Sequence, residues 1–245
     1  MGISEVTRVA TKQGRRLLNL KLKRCGAVIV AAGSAQRMGG VDKIMADLGG
    51  EPLILRTTRA FLECEAISEI VIVTRPDLVM TIRNLMAGFD KVTAVVAGGK
   101  DRAESVSLGL SAFSGKIKLA AIHDGARPLV SMELIDRVVR AANSYGAAAP
   151  AIELKDTVKV VAGGIVSSTP DRSTLRAVQT PQVFQFDLLR AALKKAKEEG
   201  AAITDDCSAV ERMGMSVKIV KGEERNLKVT TPVDLRIVRM LLEEV

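Results

Sequence analysis

Residues 27–43 read Ala-Val-Ile-Val-Ala-Ala-Gly-Ser-Ala-Gln-Arg-Met-Gly-Gly-Val-Asp-Lys. A wholly apolar run passes into a glycine-rich segment that carries Arg37 and Lys43. Apolar residues without alternation suit a strand buried on both faces, which points to a parallel sheet. A glycine-rich turn at the end of such a strand suits a phosphate group. The segment matches neither of the common phosphate loops. A Walker A lysine is followed by Ser or Thr, whereas Lys43 is followed by Ile44. The dinucleotide fingerprint has a second glycine two residues after the first, and that position is Ala35.

Outward from this stretch the same rhythm repeats. Glu69–Thr74, Val92–Ala97 and Lys118–Asp124 read as further buried strands. Pro52–Cys64, Pro76–Met86, Ala103–Ser111 and Ser131–Ser144 read as helices between them, the last with Ser131 as its N-cap. Strand and helix in alternation imply a three-layer α/β fold with a mostly parallel sheet. Beyond Tyr145 the pattern changes. Ala147–Ile152 reads as a strand of small residues, and Asp156–Val161, Gly163-Gly164 and Ile165–Ser168 read as an inserted β-hairpin. A helix over Asp187–Glu199, a strand over Val217–Val220 and a helix after Pro232 complete the chain. We expect one domain over residues 25–245, with the hairpin forming an arm at about 153–178.

The charge balance restricts the partners. The chain of 245 residues carries a formal net charge of +8, but residues 1–24 contribute +6 of it. The near-neutral body argues against nucleic acid as a partner, and 2% aromatics leave few stacking platforms for single strands. The first 24 residues read as a disordered or appended extension, with an organelle transit peptide as the alternative because the segment is basic and acid-poor. No apolar run is long enough to span a membrane. Cys25, Cys64 and Cys207 have neither metal nor redox spacing, which suggests a reducing, cytoplasmic setting.

Chemistry-bearing residues recur at successive strand ends: Gly98 to Ser105, His123 to Pro128, Asp156-Thr157, Asp171-Arg172, Thr204 to Asp206, and Asn226 to Thr230. Each has a plainer explanation. Glycine pairs make turns, Asp205 and Asp206 suit a helix N-terminus, and the lone His123 suits a hydrogen-bonded core position. Together they favour a joint anion site. One histidine and no nucleophile elbow argue against a hydrolase triad. Arg, Lys, backbone N–H groups and carboxylates suit phosphoryl or nucleotidyl transfer. A phosphate monoester as attacking group is an anion at neutral pH, its second pKa being about 6, so it needs no general base.

The ordered set Ala31-Ala32-Gly33, Arg37-Met38, Lys43, Gly98-Gly99, Arg102, Ser105-Val106, His123 to Pro128, Thr180-Pro181-Gln182, Thr204 to Asp206 and Lys228-Val229-Thr230 resembles the 2-C-methyl-D-erythritol 4-phosphate cytidylyltransferase family. The resemblance implies a Rossmann-like nucleotidyltransferase fold, CTP as nucleotide substrate and Mg2+ as cofactor. It implies that Ala31, Ala32, Gly33, Gly99, Arg102 and Ser105 hold CTP. Arg37, Lys43 and Lys228 would stabilise charge at the α-phosphate. Asp124, Arg127, Thr157, Thr180 and Thr204 would line the ribose and methylerythritol side. Arg172, on the arm, would reach the substrate phosphate of a second subunit in a homodimer. No protein ligand for the metal is implied, because the CTP phosphates would hold it. Ile44-Met45 stands where the family commonly has a glutamine and an aromatic residue, and Lys100 where it usually has an acid. A cytidylyltransferase for another polyol phosphate, such as ribitol 5-phosphate, and a non-catalytic nucleotide-binding regulator are the alternatives.

Overall fold

The computed structural model describes residues 22–33 and 43–243; Arg37 and most of the basic extension lie outside them. The first half alternates as the apolar runs require: β1 (Cys25–Ala31), α1 (Leu53–Glu63), β2 (Ile67–Thr74), α2 (Val79–Leu85), β3 (Val92–Ala97), α3 (Arg102–Ser111) and β4 (Leu119–Asp124). β1 pairs in parallel with β2 on one side and β4 on the other, and β2 pairs in parallel with β3. The chain therefore walks outward from β1 to β3, then returns across β1 to β4. Loops leaving the C-terminal ends of β1 and β4 diverge at this reversal, which opens a crevice for a ligand.

The second half runs through α4 (Met132–Tyr145), β5 (Ala147–Glu153), β6 (Val160–Ala162), β7 (Ile165–Ser168), β8 (Arg176–Val178), β9 (Gln182–Gln185), α5 (Phe186–Glu198), α6 (Asp206–Glu211), β10 (Lys218–Lys221) and α7 (Pro232–Glu243). Ser131 caps α4 as its sequence suggests, its Oγ accepting from the Leu134 amide at 3.0 Å. Gly146 ends that helix at φ 89°, a conformation that a side chain would strain. The sheet order is β10-β5-β9-β4-β1-β2-β3, with β8 also paired to β5. β9 runs antiparallel to both β4 and β5, so it interrupts an otherwise parallel centre.

Two differences from the sequence reading have simple causes. The first strand of the hairpin is Val160–Ala162 rather than Asp156–Val161, because the four residues of β7 supply partners only as far back as Val160. β8 and β9, of three and four residues, are too short to show a period of their own.

Helices cover both faces of the sheet. Ala27, Ile29 and Ala31 of β1 join one cluster with residues of α1, α2 and α4, while Val28 joins a second with residues of α3, α5 and α6. This two-sided burial explains why β1 has no polar alternation. A third, smaller cluster packs Leu235 and Val238 of α7 against Leu48, Leu53 and Val229. It ties the segments following Lys43 and Lys228 to one apolar anchor.

Candidate active site

The strand reversal brings the ends of β1 and β4 side by side, with Val30 in register with Asp124. Next to them the β3–α3 turn packs closely. A Cβ on Gly98 would lie 2.4 Å from the Ala32 Cβ and 2.9 Å from Ser105 Oγ, so only glycine lets this turn approach the β1 loop. Ser105 Oγ accepts from the Gly99 amide at 3.1 Å and donates to the Asp101 carbonyl at 2.8 Å. Asp101 caps α3 by accepting from the Glu104 amide at 2.8 Å. The turn is thus set before any ligand arrives. Lys43 is partly buried, and Ile44 behind it is 2% exposed in the main core. The Ile44 carbonyl also accepts from the Ile54 amide at 3.0 Å. The unusual Ile44-Met45 pair is therefore an apolar anchor for Lys43.

Asp124 is the electrostatic centre of the crevice. Its carboxylate meets Lys228 Nζ at 3.0 Å, Arg127 Nε at 3.4 Å and Arg102 Nη2 at 3.7 Å. Burial alone would raise this carboxyl, but Lys228, Arg102 and Arg127 outweigh burial and hold it well below the usual carboxylate range. Arg102 also pairs with Asp206, Nη1 to Oδ2, at 2.6 Å. Burial would lower the Arg102 guanidinium, yet Asp206 and Asp124 together raise it. Arg127 Nη1 donates to the Asn226 carbonyl at 2.7 Å. The Val229 amide bonds the Ala126 carbonyl at 2.8 Å, which fixes where Lys228 emerges. Three cations gathered on one carboxylate form a preorganised site for a polyanion.

His123 supports this centre and takes the plainer of its two readings. It is fully buried; Thr180 Oγ1 lies 3.0 Å from Nδ1 and the Arg127 carbonyl 3.4 Å from Nε2. The Arg127 carbonyl can only accept, so the ring carries its proton on Nε2, and Thr180 Oγ1, which accepts from the Asp124 amide at 3.1 Å, donates to Nδ1. Burial lowers the imidazole to about 3, so it is neutral at neutral pH. The unfolded chain binds a proton on this residue below about pH 6.5 and the folded chain does not, so stability falls on acidification. We expect a loss of about 2–3 kcal/mol between pH 6.5 and 4.5 from this group. Urea unfolding across that window should show it, and His123→Gln should flatten the profile. An equally steep profile in that variant would assign the acid sensitivity elsewhere.

Of the residues singled out in the sequence, the structure places Ala31, Ala32, Gly33, Gly99, Arg102, Ser105, Asp124, Arg127, Thr180 and Lys228 at neighbouring strand ends, on the loops that leave them or in the first turns of α3. Thr204 is exposed just before α6. Thr157 and Arg172 lie exposed on the arm, where Arg172 donates to the Lys155 carbonyl. Gln179, Gln182 and Asn226 are buried supports that the sequence reading gave no role. Gln179 Nε2 donates to the Glu223 carbonyl at 2.8 Å, and Asn226 Nδ2 to the Thr180 carbonyl at 2.8 Å, stitching two site loops together. Buried amides beside loop turns were the available signal. A cavity of about 900 Å3 runs between α3 and α5, with Arg102 among its lining residues. Its lining mixes apolar Leu110, Phe113, Phe186 and Leu193 with cations such as Lys194 and Lys197.

Comparison with known proteins agrees with this geometry. Residues 25–244 match the family model described as IspD, 2-C-methyl-D-erythritol 4-phosphate cytidylyltransferase. Proteins of that name from Geobacillus kaustophilus and Geobacillus thermodenitrificans are 45% and 46% identical to this chain. Each alignment covers 88% of this chain and 96% of the relative. The crystal structure of the 4-diphosphocytidyl-2C-methyl-D-erythritol synthase from Anaerococcus prevotii superimposes with a TM-score of 0.82 at 31% identity, covering 91% of this chain and all of that one. That of the cytidylyltransferase from Thermus thermophilus gives 0.74 at 32% identity, covering 88% and 98%. With the fold, the crevice and these relatives in agreement, the chain belongs to the 2-C-methyl-D-erythritol 4-phosphate cytidylyltransferase family.

Proposed function

We propose that this chain transfers the cytidylyl group of CTP to the 4-phosphate of 2-C-methyl-D-erythritol and releases pyrophosphate, a step in isoprenoid precursor synthesis. The observation that carries this reading is the convergence of Lys228, Arg127 and Arg102 on Asp124 at the strand reversal, within a chain of this family. The 4-phosphate oxygen attacks the α-phosphorus, and the bond to the bridging oxygen of pyrophosphate breaks. Lys43, Lys228 and Arg37 meet the charge that develops at the α-phosphate. The attacking monoester is already anionic, its second pKa being about 6, so the site needs no base. The small residues Ala31, Ala32 and Gly33, with Gly99, Arg102 and Ser105, face CTP. Asp124, Arg127, Thr180 and Thr204 face the ribose and the polyol.

Magnesium would supply charge neutralisation on the triphosphate. Among the described residues no three His, Cys, Asp or Glu side chains gather into a cage. Magnesium of this kind would keep water and take substrate phosphates as ligands.

The arm is proposed to join two copies of the chain, bringing Thr157 and Arg172 toward the partner's substrate. Val160, Val161, Ile165 and Val166 are 47–75% exposed on a two-stranded ladder, and such a ladder is marginal alone. Free, buried Cys25, Cys64 and Cys207 support a cytoplasmic setting.

A pyrophosphate-release assay crossing CTP and UTP with methylerythritol 4-phosphate and ribitol 5-phosphate tests the reading. Release confined to the CTP–methylerythritol pair supports it, and release confined to ribitol phosphate replaces the acceptor. CTP binding without release favours a regulator. UTP turnover equal to that with CTP would trace to the position of Lys100, since an ammonium cannot accept from the cytosine N4 amino group.

A further inference from the structure

Asp206 has no task in the scheme above, yet it occupies an expensive position. It is fully buried at the start of α6. One carboxylate oxygen, Oδ2, holds Arg102 Nη1 at 2.6 Å, while the other, Oδ1, is buried without a partner. Burial pushes this carboxyl up, against the pull of Arg102. Its setting is rigid. Gln182 Oε1 accepts from the Asp206 and Cys207 amides at 3.1 and 3.2 Å, and Gln182 Nε2 donates to Asp205 Oδ2 at 2.7 Å. A half-satisfied buried carboxylate is costly to hold, because the desolvation of its unpartnered oxygen is not compensated. A reason for the charge must therefore be sought in what Arg102 does.

Arg102 bridges two acids. Nη1 is fixed by Asp206, Nη2 lies at the looser distance of 3.7 Å from Asp124, and 30% of the side chain is exposed to solvent. A guanidinium has five donors in a fixed plane. Pinning one edge leaves the direction of the others determined. We propose that Asp206 is a positioning residue for the nucleotide, holding the Arg102 fork by one edge so that its remaining N–H donors face the triphosphate. A triphosphate would compete for Nη2 against Asp124 rather than against Asp206. The alternative is a structural tie between α3 and α6 that CTP does not sense. The proposal rests on the cytidylyltransferase reading.

The test is calorimetric binding of CTP with magnesium, beside turnover and thermal melts, for the full chain and for Asp206→Asn, Arg102→Ala and the double variant. Asp206→Asn is expected to weaken CTP binding about ten- to hundredfold, the range seen when a group that orients a ligand-holding side chain is lost. Its melting temperature should fall only modestly, because Arg102 keeps Asp124 as a second carboxylate partner. In the Arg102→Ala background the same substitution should weaken CTP binding no further. A lower melting temperature with unchanged CTP affinity would make Asp206 a structural tie and overturn the proposal. Additive losses in the double variant would overturn it as well, because Asp206 would then act without Arg102. If Asp206→Asn does not fold, Arg102→Lys reads the same geometry: it keeps the charge without the fork, and unchanged CTP affinity would again overturn the proposal. Absence of CTP binding by the unaltered chain would remove the cytidylyltransferase reading itself, a result distinguishable from all of these.

Discussion

Lys43→Ala is expected to lower kcat by about 100- to 1000-fold, the scale of losing one preorganised donor to a developing oxyanion. CTP affinity should fall far less, because the ground-state triphosphate retains its other cations. The local structure favours a clean result. Ile44 is buried in the core, and the Leu53 amide bonds the Ala46 carbonyl at 2.9 Å, so the backbone after Lys43 is held independently of the lysine side chain. Single-turnover kinetics at saturating CTP, with calorimetry for affinity, separates the two effects. Unchanged turnover would remove Lys43 from its role. An equal loss in affinity and turnover would instead make it a binding residue.

Asp124→Ala is expected to cost about 3–5 kcal/mol of stability and to abolish measurable turnover, since removing the acid from a buried ionic cluster leaves its bases uncompensated. Lys228 and Arg127 would then lose their carboxylate, while Arg102 would keep Asp206. The carboxyl titrates well below its unfolded value. Its stabilisation is therefore present above about pH 4 and lost as pH falls through the lowered folded value. Bound CTP should restore part of the lost stability, because the triphosphate replaces the missing negative charge. Thermal melts with and without CTP check both halves of this expectation. A variant as stable as the unaltered chain would show that solvent, not Asp124, screens these cations.

Much of this architecture is legible in the sequence because the parallel half writes itself in long apolar runs. Cys25–Ala31, Ile67–Thr74 and Leu119–Asp124 are all almost continuously buried. α3 and α4 carry side-chain caps, Asp101 and Ser131, whereas α1 and α2 do not. β9 escapes because Gln182-Val-Phe-Gln gains its strand character from pairing with Leu119–Ile122 and Ala147-Ala148, partners distant in sequence. The gathering of cations at strand ends is legible, but its geometry is not. Nothing in the order of residues says that Asp124 takes three cations or that Asp206 pairs with Arg102. Those facts arise from loops converging across the sheet, where a 104-residue separation closes to one hydrogen bond.

The antiparallel strand β9 also governs how the molecule can be assembled. β5 finds its partners only in β8, β9 and β10, all made after it, while β1 to β4 can pair among themselves as soon as they exist. The sheet is thus two panels, and the seam is a segment of four residues centred on the fully buried Val183 and Phe184. Until Gln182–Gln185 docks, the β4 edge stands open and β5 is not joined to the first panel. Closing such non-local pairings carries a loop-entropy cost before any contact compensates, which slows folding. A nascent chain released before residue 185 would therefore expose two adhesive strand edges, and the short seam is where this fold is most vulnerable to aggregation.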